Sequence, residues 1–384
     1  MRVTSHAPQP SPHGSPADPW SAPAPATGRS LTWALVAATA LLLVVAWFLS
    51  SVFGTGTVLW LGALAMVPLG LCLAGLRWVD RWDPEPRSVL LLGLLWGAGA
   101  SVAATLLFGD AFTELFFDPS GSVDLDTFGS VVQAPILEEL AKGAGVLLVF
   151  WINRAHFDGP LDGIVYGGIV GAGFAFTENI LYFGASHVDP AGPGGLVGVF
   201  VLRGLFSPFA HVLFTAWTGY ALGLCAARGR RGHWPLYLVL GLLPAMAGHF
   251  LWNGGVGIFF DDFLLFYFVL QVPLFIASVI AVVLLQRAEQ RLTALRLDEY
   301  RVSGWYTEAE VAMLATSAGR RKAKAWAAAN SRTRQMKQFT DTAMRLAAVR
   351  QRIATGHPTA ADHARELALL HHGHRQRVQM LAGT

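Results

Sequence analysis

Long apolar runs alternate with short polar segments along most of this 384-residue chain. The runs are about 20 residues long or longer, which is the length that an α-helix needs to cross about 30 Å of hydrocarbon. We interpret eight runs as membrane-spanning helices: 31–50, 57–76, 88–108, 130–151, 161–184, 197–226, 235–256 and 262–286. The pattern therefore predicts an all-α fold, a polytopic membrane bundle of about eight transmembrane helices.

The composition agrees with a membrane protein. Hydrophobic residues make up 53% of the chain and charged residues 14%, with a mean hydropathy of +0.46, whereas a soluble domain usually carries about 25% charged residues. The two cysteines lie in apolar runs and form no CxxC metal motif. We expect the lipid bilayer as a partner of this chain, and no nucleic acid.

The loops at the two ends of the predicted bundle differ in charge. Arginines flank the loops at one end: Arg77, Arg81, Arg87, Arg154, Arg228, Arg230 and Arg231. The loops at the other end contain no Lys or Arg and carry Asp110, Glu114, Asp118, Asp124, Asp126, Asp189, Asp261 and Asp262. By the positive-inside rule we expect both termini in the cytoplasm and the chain in the cell (plasma) membrane.

Three regions follow from these patterns. Residues 1–30 are rich in Pro, Ser and Ala, which is typical of a disordered tail, here on the cytoplasmic side. Residues 31–287 form the predicted transmembrane domain. Residues 288–384 are basic and show helical spacing, so we expect a small helical cytoplasmic region. Its charge suits an anionic membrane surface, and it also suits a solvated helical tail.

Ten charged or strongly polar residues lie inside the predicted spans. An intramembrane charge costs about 2.5 to 3.5 kcal/mol on insertion scales, so such residues usually face the bundle interior in paired or functional roles. The residues are Glu138, Glu139, Lys142, Asp162, Glu178, Asn179, Arg203, His211, His249 and Asn253. They need a common explanation.

The fourth predicted span carries Glu138, Glu139 and Lys142. The lysine follows the two carboxylates at i+4 and i+3, so it is one helical turn from each. Adjacent residues diverge by about 100° around a helix, so the two carboxylates cannot point at the same place. One can act on a water or substrate while the other orients it or pairs with Lys142. An ion pair that only lets a polar helix insert is the structural alternative.

Three later spans supply the other polar groups. The fifth carries a small-residue face, Gly167, Gly168, Gly171 and Gly173, that favours close helix packing, and then Phe174, Glu178 and Asn179. The sixth carries Arg203, Pro208 and His211, and we expect Pro208 to kink it. The seventh carries His249 and Asn253, which share a helical face at i, i+4.

The depth of these residues tests whether they can meet. Counted at 1.5 Å per residue, Glu138, Glu178 and His249 lie roughly 9 to 12 Å below one membrane surface. His211 is expected at roughly 20 Å, unless its helix starts later or the kink at Pro208 raises it. Three of the four groups are therefore expected to meet, and His211 is the exception.

The motifs Glu138-Glu139-x-x-Lys142, Phe174-x-x-x-Glu178-Asn179, His211 and His249-x-x-x-Asn253 resemble those of the PrsW family of intramembrane proteases. The Asp80 to Pro86 segment is similar to that family as well. The resemblance covers about residues 75–255. The CAAX prenyl endopeptidases are related, but Glu178 stands where they have a histidine, which disfavours prenyl-peptide processing. The resemblance implies site-1 cleavage of a membrane-anchored protein, such as an anti-sigma factor, near the outer face.

For such a peptidase we expect Glu138 or Glu139 to act as the general base and His211 to position the water. His249 and Asn253 are expected to donate hydrogen bonds to the developing oxyanion. The residues expected to orient the substrate or support these groups are Lys142, Phe174, Glu178, Asn179 and Arg203.

The cofactor prediction has two versions. The favoured one is a glutamate-dependent hydrolysis that requires no metal. The other is a zinc site drawn from His211, His249, Glu138 and Glu178, although the sequence contains no HExxH motif.

Two other classes of function remain open on the sequence. A transporter uses intramembrane carboxylates and histidines to move protons or solutes, but such carriers often contain repeats and none is visible between the two halves. A non-catalytic membrane scaffold or immunity-type protein would tolerate Glu-to-Gln changes at these positions. An enzyme would not.

Overall fold

The computed structural model describes residues 28–154, 156–189, 195–355, 358 and 360–382. Most of the predicted disordered tail, residues 1–27, lies outside the described residues, and residues 28–30 begin the first helix. Apart from a single β-bridge between Val256 and Phe260, the regular structure of the described residues is helical. The prediction of an all-α fold is confirmed.

The first twelve helices contain the predicted spans. They are α1 (Gly28–Phe53), α2 (Thr55–Val79), α3 (Arg87–Leu95), α4 (Val102–Phe116), α5 (Leu125–Thr127), α6 (Ala134–Ile152), α7 (Pro160–Val188), α8 (Gly195–Val199), α9 (Ala210–Ala227), α10 (Trp234–Ile258), α11 (Phe263–Phe266) and α12 (Val272–Val302). Wider π-helical turns join several of them: Trp96–Ser101, Phe128–Gln133, Phe200–Phe206 and Tyr267–Gln271.

Seven helical stretches in the described part of the chain are long and apolar enough to cross a membrane. The fourth predicted span is not among them. It corresponds to α6, which is 19 residues long and carries Glu138, Glu139 and Lys142. These three charges set α6 apart from the other spans. The chain is a multi-pass helical membrane protein, as the hydropathy pattern predicts.

Helix α7 lies at the centre of the bundle and packs closely on α9. A Cβ atom added at Gly163 would lie 2.0 Å from the carbonyl oxygen of Gly219, and one at Gly171 would lie 2.3 Å from that of His211. These approaches are possible only without side chains, so the glycines bring the two backbones together. The packing sets His211, on α9, beside the helix that carries Glu178.

The sixth predicted span is not one continuous helix. Helical structure stops after Phe206, and residues 207–209 form a turn in which Ser207 has φ −125° and ψ 30°. Pro208 lies in this turn, where its missing N–H breaks no helical hydrogen bond, and its carbonyl accepts a hydrogen bond from the Cys72 thiol at 2.9 Å. The expected kink at Pro208 is therefore a break, after which α9 starts afresh at Ala210.

The remaining helices are α13 (Glu308–Ala315), α14 (Ser317–Ala329), α15 (Thr333–Ala354) and α16 (Ala360–Leu381). They pack around an apolar core that includes Leu297, Phe339 and Leu346. We call α13–α16 the C-terminal helices. They lie against the loops at the arginine-rich end of the bundle.

Two arginines of the C-terminal helices make these contacts. The Arg320 guanidinium stacks 3.4 Å from the centre of the Trp82 ring and donates to the Trp82 carbonyl. Arg345 donates to Nε2 of His156. The C-terminal helices are thereby tied to two separate loops of the bundle.

Candidate functional site

Helix α6 provides three charged side chains, all of them buried. Lys142 and Glu139 are fully buried, and Glu138 is 6% exposed. The Lys142 ammonium lies 2.6 Å from Oε1 of Glu139 and 3.3 Å from Oε2 of Glu138. One lysine therefore faces both carboxylates, as its spacing predicts. Their charges do not cancel, since two carboxylates share one ammonium group.

His249 on α10 is 1% exposed, and its two ring nitrogens have different neighbours. Nδ1 lies 3.1 Å from Oε1 of Glu139, whereas Nε2 lies 3.8 Å from Oε2 of Glu138. The shorter contact is within hydrogen-bond distance and fixes the ring. The Nε2 atom is left directed toward Glu138.

His211, the second residue of α9, likewise contacts different groups with its two ring nitrogens. Its Nε2 lies 2.7 Å from Oε2 of Glu178, and its Nδ1 lies 3.0 Å from the Lys142 ammonium and 3.9 Å from Oε2 of Glu138. His211 therefore reaches the other groups, and the expected mismatch in depth does not arise. The cause is the break at residues 207–209, which makes the helix start later.

Arg203 and Asn179 complete the surroundings of Glu178. Arg203, in the π-helical turn Phe200–Phe206, forms an ion pair with Glu178, and its Nε donates to Oδ1 of Asn179 at 3.2 Å. Its guanidinium also lies 3.8 Å from the centre of the Tyr182 ring. Glu178 is thus held between Arg203 and His211.

Aromatic rings line the polar cluster. The Phe174 ring centre lies 4.1 Å from the Lys142 ammonium and 5.3 Å from the His211 ring. Phe214 stacks on His249 with ring centres 5.1 Å apart. Such walls exclude water and strengthen the electrostatic interactions inside the cluster. They also leave little room for movement of the two imidazoles.

One predicted residue lies apart, and one was missed. The Asn253 side chain donates to the carbonyl of Ser130 at 2.7 Å, and none of its described contacts is with the two histidines or three glutamates.

The residue that the sequence analysis missed is Thr215, which is fully buried and donates to Oε2 of Glu139 at 3.0 Å. It follows His211 at i+4, so helical spacing alone places it on the same face.

The donor set suits a transition metal. One carboxylate oxygen of Glu138 and one ring nitrogen each of His211 and His249 all lie within 4.8 Å of one another. Glu178 is outside this group and lies 2.7 Å from Nε2 of His211, which leaves Nδ1 as the candidate ligand atom. In protein metal sites a ligating histidine usually has its second nitrogen held by a carboxylate or carbonyl. Both histidines here meet that condition, and the set can hold a divalent ion such as zinc if the Lys142 ammonium, 3.0 Å from Nδ1 of His211, moves off that nitrogen.

Comparison with known proteins identifies the family of this chain. A sequence model described as the PrsW family intramembrane metalloproteases matches residues 85–278, which is half of the chain. The chain belongs to the PrsW family. The matched region contains every predicted site residue, and it ends before the C-terminal helices.

Several curated relatives carry the name Protease PrsW. The one from Geobacillus kaustophilus is 31% identical over 163 residues, which is 42% of this chain and 65% of the relative. The one from Clostridioides difficile is 30% identical over 186 residues, 48% of this chain and 74% of the relative. The one from Bacillus subtilis is 31% identical over 144 residues, 38% and 59%. The chain thus spans a little under two thirds of the Geobacillus protein, and no solved structure matches.

Proposed function

We propose that this PrsW-family chain is an intramembrane endopeptidase that hydrolyses a peptide bond of a membrane-anchored protein. Glu138, His211 and His249 form its proposed active site. The observation that carries the proposal is the pairing of each histidine. Glu139 holds one nitrogen of His249 and Glu178 holds one nitrogen of His211, at 3.1 and 2.7 Å. The other nitrogens lie 3.8 and 3.9 Å from Oε2 of Glu138, and that of His211 also lies 3.0 Å from the Lys142 ammonium. Such pairing fixes the direction of each second nitrogen before a substrate arrives.

We assign the metal-dependent version of the mechanism, in preference to the metal-free one that the sequence favours. His211, His249 and Glu138 would hold the ion. A divalent cation such as zinc supplies Lewis-acid activation of water and of the scissile carbonyl. The pairing of both histidines and the description of the family as metalloproteases support this choice.

The two adjacent glutamates receive different roles. Glu139 has its oxygens engaged by Lys142, Thr215 and His249 at 2.6 to 3.1 Å, so it orients these groups. Glu138 has only longer described contacts, at 3.3 to 3.9 Å. We therefore assign Glu138 two roles, one for each oxygen: one oxygen would hold the ion, and the other would accept the proton of the attacking water and pass it to the leaving amine.

The negative charge that develops on the oxygen of the scissile carbonyl needs a hydrogen-bond donor close to Glu138. Lys142 is the nearest cation, and its ammonium also lies 3.0 Å from Nδ1 of His211. We assign Lys142 to this role in place of the predicted Asn253, whose amide donates to Ser130. Asn253 is assigned instead to hold α10 against the turn that precedes α6.

The wider assignments follow from charge and from the family. We propose both termini on the cytoplasmic side of the plasma membrane, because the arginine-rich loops lie at one end of the bundle. The transmembrane domain at 31–287 would carry the activity, with the N-terminal tail and the C-terminal region as additions. The proposed substrate is a single-span membrane protein, for example an anti-sigma factor.

The proposal is tested by cleavage of co-expressed single-span membrane proteins in the presence of wild type or the double variant Glu138→Gln, Glu139→Gln. Wild type is expected to give fragments that are lost in the double variant and on chelation, and restored by added zinc. A Glu114→Gln variant controls for the loss of a carboxylate elsewhere in the chain, because Glu114 is exposed and lies outside the cluster.

The other outcomes separate the alternatives. Fragments that survive chelation but vanish in the double variant would contradict the metal and support the glutamate-only mechanism. Fragments that persist in the double variant would contradict both the metal-dependent and the glutamate-only mechanism. No fragments with wild type across the whole set of membrane proteins would contradict the peptidase and direct attention to transport or scaffolding.

A further inference from the structure

An apolar crevice opens beside the cluster, between the turn at residues 207–209 and the start of α12. It encloses about 230 Å³. Its walls include Pro208, Leu213, Phe214, Trp252, Gln271 and Val272. The crevice thus lies at the break in the sixth span, where the bundle surface is interrupted.

The crevice shares a wall with the proposed catalytic groups. Phe214 lines it, and the same ring stacks on His249 and meets His211 edge-on, with ring centres 5.1 and 5.9 Å apart. Ala210 also lines it and is the chain neighbour of His211. A chain segment in this crevice would be one aromatic ring away from both imidazoles.

Gln271 is the polar group in this wall that has no explained role. It lies in the membrane-spanning stretch Phe263–Val302, is partly buried, and its carboxamide makes no hydrogen bond to another described residue. One turn earlier, Tyr267 already donates to the carbonyl of Phe206 at 2.9 Å. An unpaired amide at membrane depth is costly, since no water is available there to satisfy it.

We propose that this crevice binds an unwound, apolar stretch of the substrate's transmembrane segment next to the scissile bond, and that the Gln271 carboxamide pairs with its backbone. The proposal rests on the proposed peptidase function. A peptide bond must leave the helix before it can be attacked, and each unwound residue then exposes an N–H and a C=O that need partners inside the bilayer. A carboxamide offers both a donor and an acceptor. An acyl chain of a lipid has neither, so a lipid would leave Gln271 unpaired.

The first test fills the crevice. Val272→Trp places an indole in the space, whereas Val269→Trp makes the same change on the same helical stretch at an exposed position outside the crevice. We expect Val272→Trp to lower cleavage of a co-expressed single-span protein by about 100-fold, as for a substrate held an ångström out of place. Val269→Trp should cleave as wild type does. Equal cleavage by the two variants would overturn the proposal.

The second test removes the amide alone. Gln271→Leu keeps the size of the side chain and loses one hydrogen-bond pair, so we expect cleavage at low substrate to fall about three- to tenfold. The loss should appear in KM, with kcat and zinc content unchanged, and Gln271→Asn should restore part of it. A fall in kcat with unchanged KM would contradict a binding role.

The third test identifies the occupant with a photoreactive benzophenone side chain at position 272 or 269 in the inactive Glu138→Gln chain. The probe is a synthetic peptide with a 20-residue Leu/Ala core interrupted by Gly-Pro, compared with the uninterrupted core and with a photoreactive phospholipid. We expect position 272, and not 269, to capture the interrupted peptide most strongly.

The outcomes of the cross-linking test are separable. Capture of the lipid at 272 in preference to either peptide would overturn the proposal and assign the crevice to lipid. Cross-linking between two copies of this chain would assign it to self-association. Peptide capture does not require turnover, so a failure of the crevice is distinguished from a failure of the peptidase, which the double glutamate variant reports.

Discussion

Glu138 and Glu139 are neighbours in the chain and differ in what surrounds them. Glu139 is fully buried among Lys142, Thr215 and His249, whereas Glu138 is slightly exposed and has longer contacts. Their divergence around the helix predicts different roles but not which residue has which. The proposed assignment rests on Thr215 of α9 and His249 of α10, which lie within hydrogen-bond distance of Glu139, whereas the nearest described contact of Glu138 with either helix is 3.8 Å.

The two glutamates should therefore respond differently to the same change. Glu138→Gln is expected to abolish cleavage and zinc binding, since it removes a proposed ligand. Glu139→Gln should weaken zinc binding by about 10- to 100-fold through the altered His249 contact, and should retain some cleavage at high zinc. Zinc titration of each purified variant, with cleavage measured in parallel, gives the comparison. Equal affinity of Glu138→Gln and wild type for zinc would contradict the assignment.

Gly171 offers a second test at a single residue. An added Cβ would lie 2.3 Å from the carbonyl oxygen of His211, so Gly171→Ala must push α9 away from α7. We expect a loss of about 1 to 3 kcal/mol of stability, as for overpacking, together with loss of cleavage. Gly70→Ala in α2 is the matched control, because nothing lies within 4 Å of its added Cβ. Its thermal stability should equal or slightly exceed that of wild type.

At the scale of elements, the spans could be predicted because hydrophobic length is a local property. The i, i+4 spacing likewise predicts that Lys142 reaches Glu138. The break at residues 207–209 could not be placed from local signals, since a proline in an apolar run is compatible with a kink or a full stop. The contact of Asn253 with the carbonyl of Ser130 was not predictable for a related reason. Sharing a helical face with His249 does not fix which neighbour its amide meets one turn further along.

The break itself can be tested. The double change Ser207→Ala, Pro208→Ala favours one continuous helix from Phe200 onward, which would rotate and shift His211 away from Glu178. We expect cleavage to fall about 100-fold while insertion into the membrane is retained. Pro68→Ala is the control, because Pro68 lies inside the unbroken helix α2. Retention of full cleavage by the double variant would show that the position of His211 does not depend on the break.

At the scale of the whole molecule, the C-terminal helices extend the structure beyond the family match, which ends at residue 278. Their contact with the bundle is continued inward by hydrogen bonds. His156 accepts a hydrogen bond from Arg345 at Nε2, and its Nδ1 lies 3.0 Å from Oδ1 of Asn153. The Asn153 amide in turn donates at 2.6 Å to the hydroxyl of Tyr166 on α7. Helix α7 also carries Glu178. A series of hydrogen bonds thus joins the C-terminal helices to a helix of the proposed active site.

This junction contains a carboxyl group whose titration is measurable. Burial raises the pKa of Asp83 to about 7, and the nearby carboxylates of Asp158 and Asp341 add to the rise, against the partial opposition of Arg320 and Arg345. In the unfolded chain an aspartate has a pKa of about 3.9. The folded protein therefore holds the Asp83 proton more tightly, and the stability that this supplies is full below about pH 4 and is lost as the pH rises to about 7.

Asp83→Asn removes that dependence, so the variant should gain thermal stability over wild type at pH 8 and show a smaller gain at pH 5. Unfolding of the full chain in detergent at the two pH values measures the difference. Burial also lowers the pKa of His156 to about 4, and the charge of Arg345 adds to this effect. Because His156 is present in both wild type and Asp83→Asn, its titration does not account for a difference between them. Asp118→Asn is the control. Asp118 lies in an exposed loop, and hydrogen bonds from Ser120 lower its pKa, so its effect should not vary between pH 5 and 8. An equal gain for Asp83→Asn at both pH values would mean that the charge of the partly buried Asp83 does not destabilise the junction with the C-terminal helices.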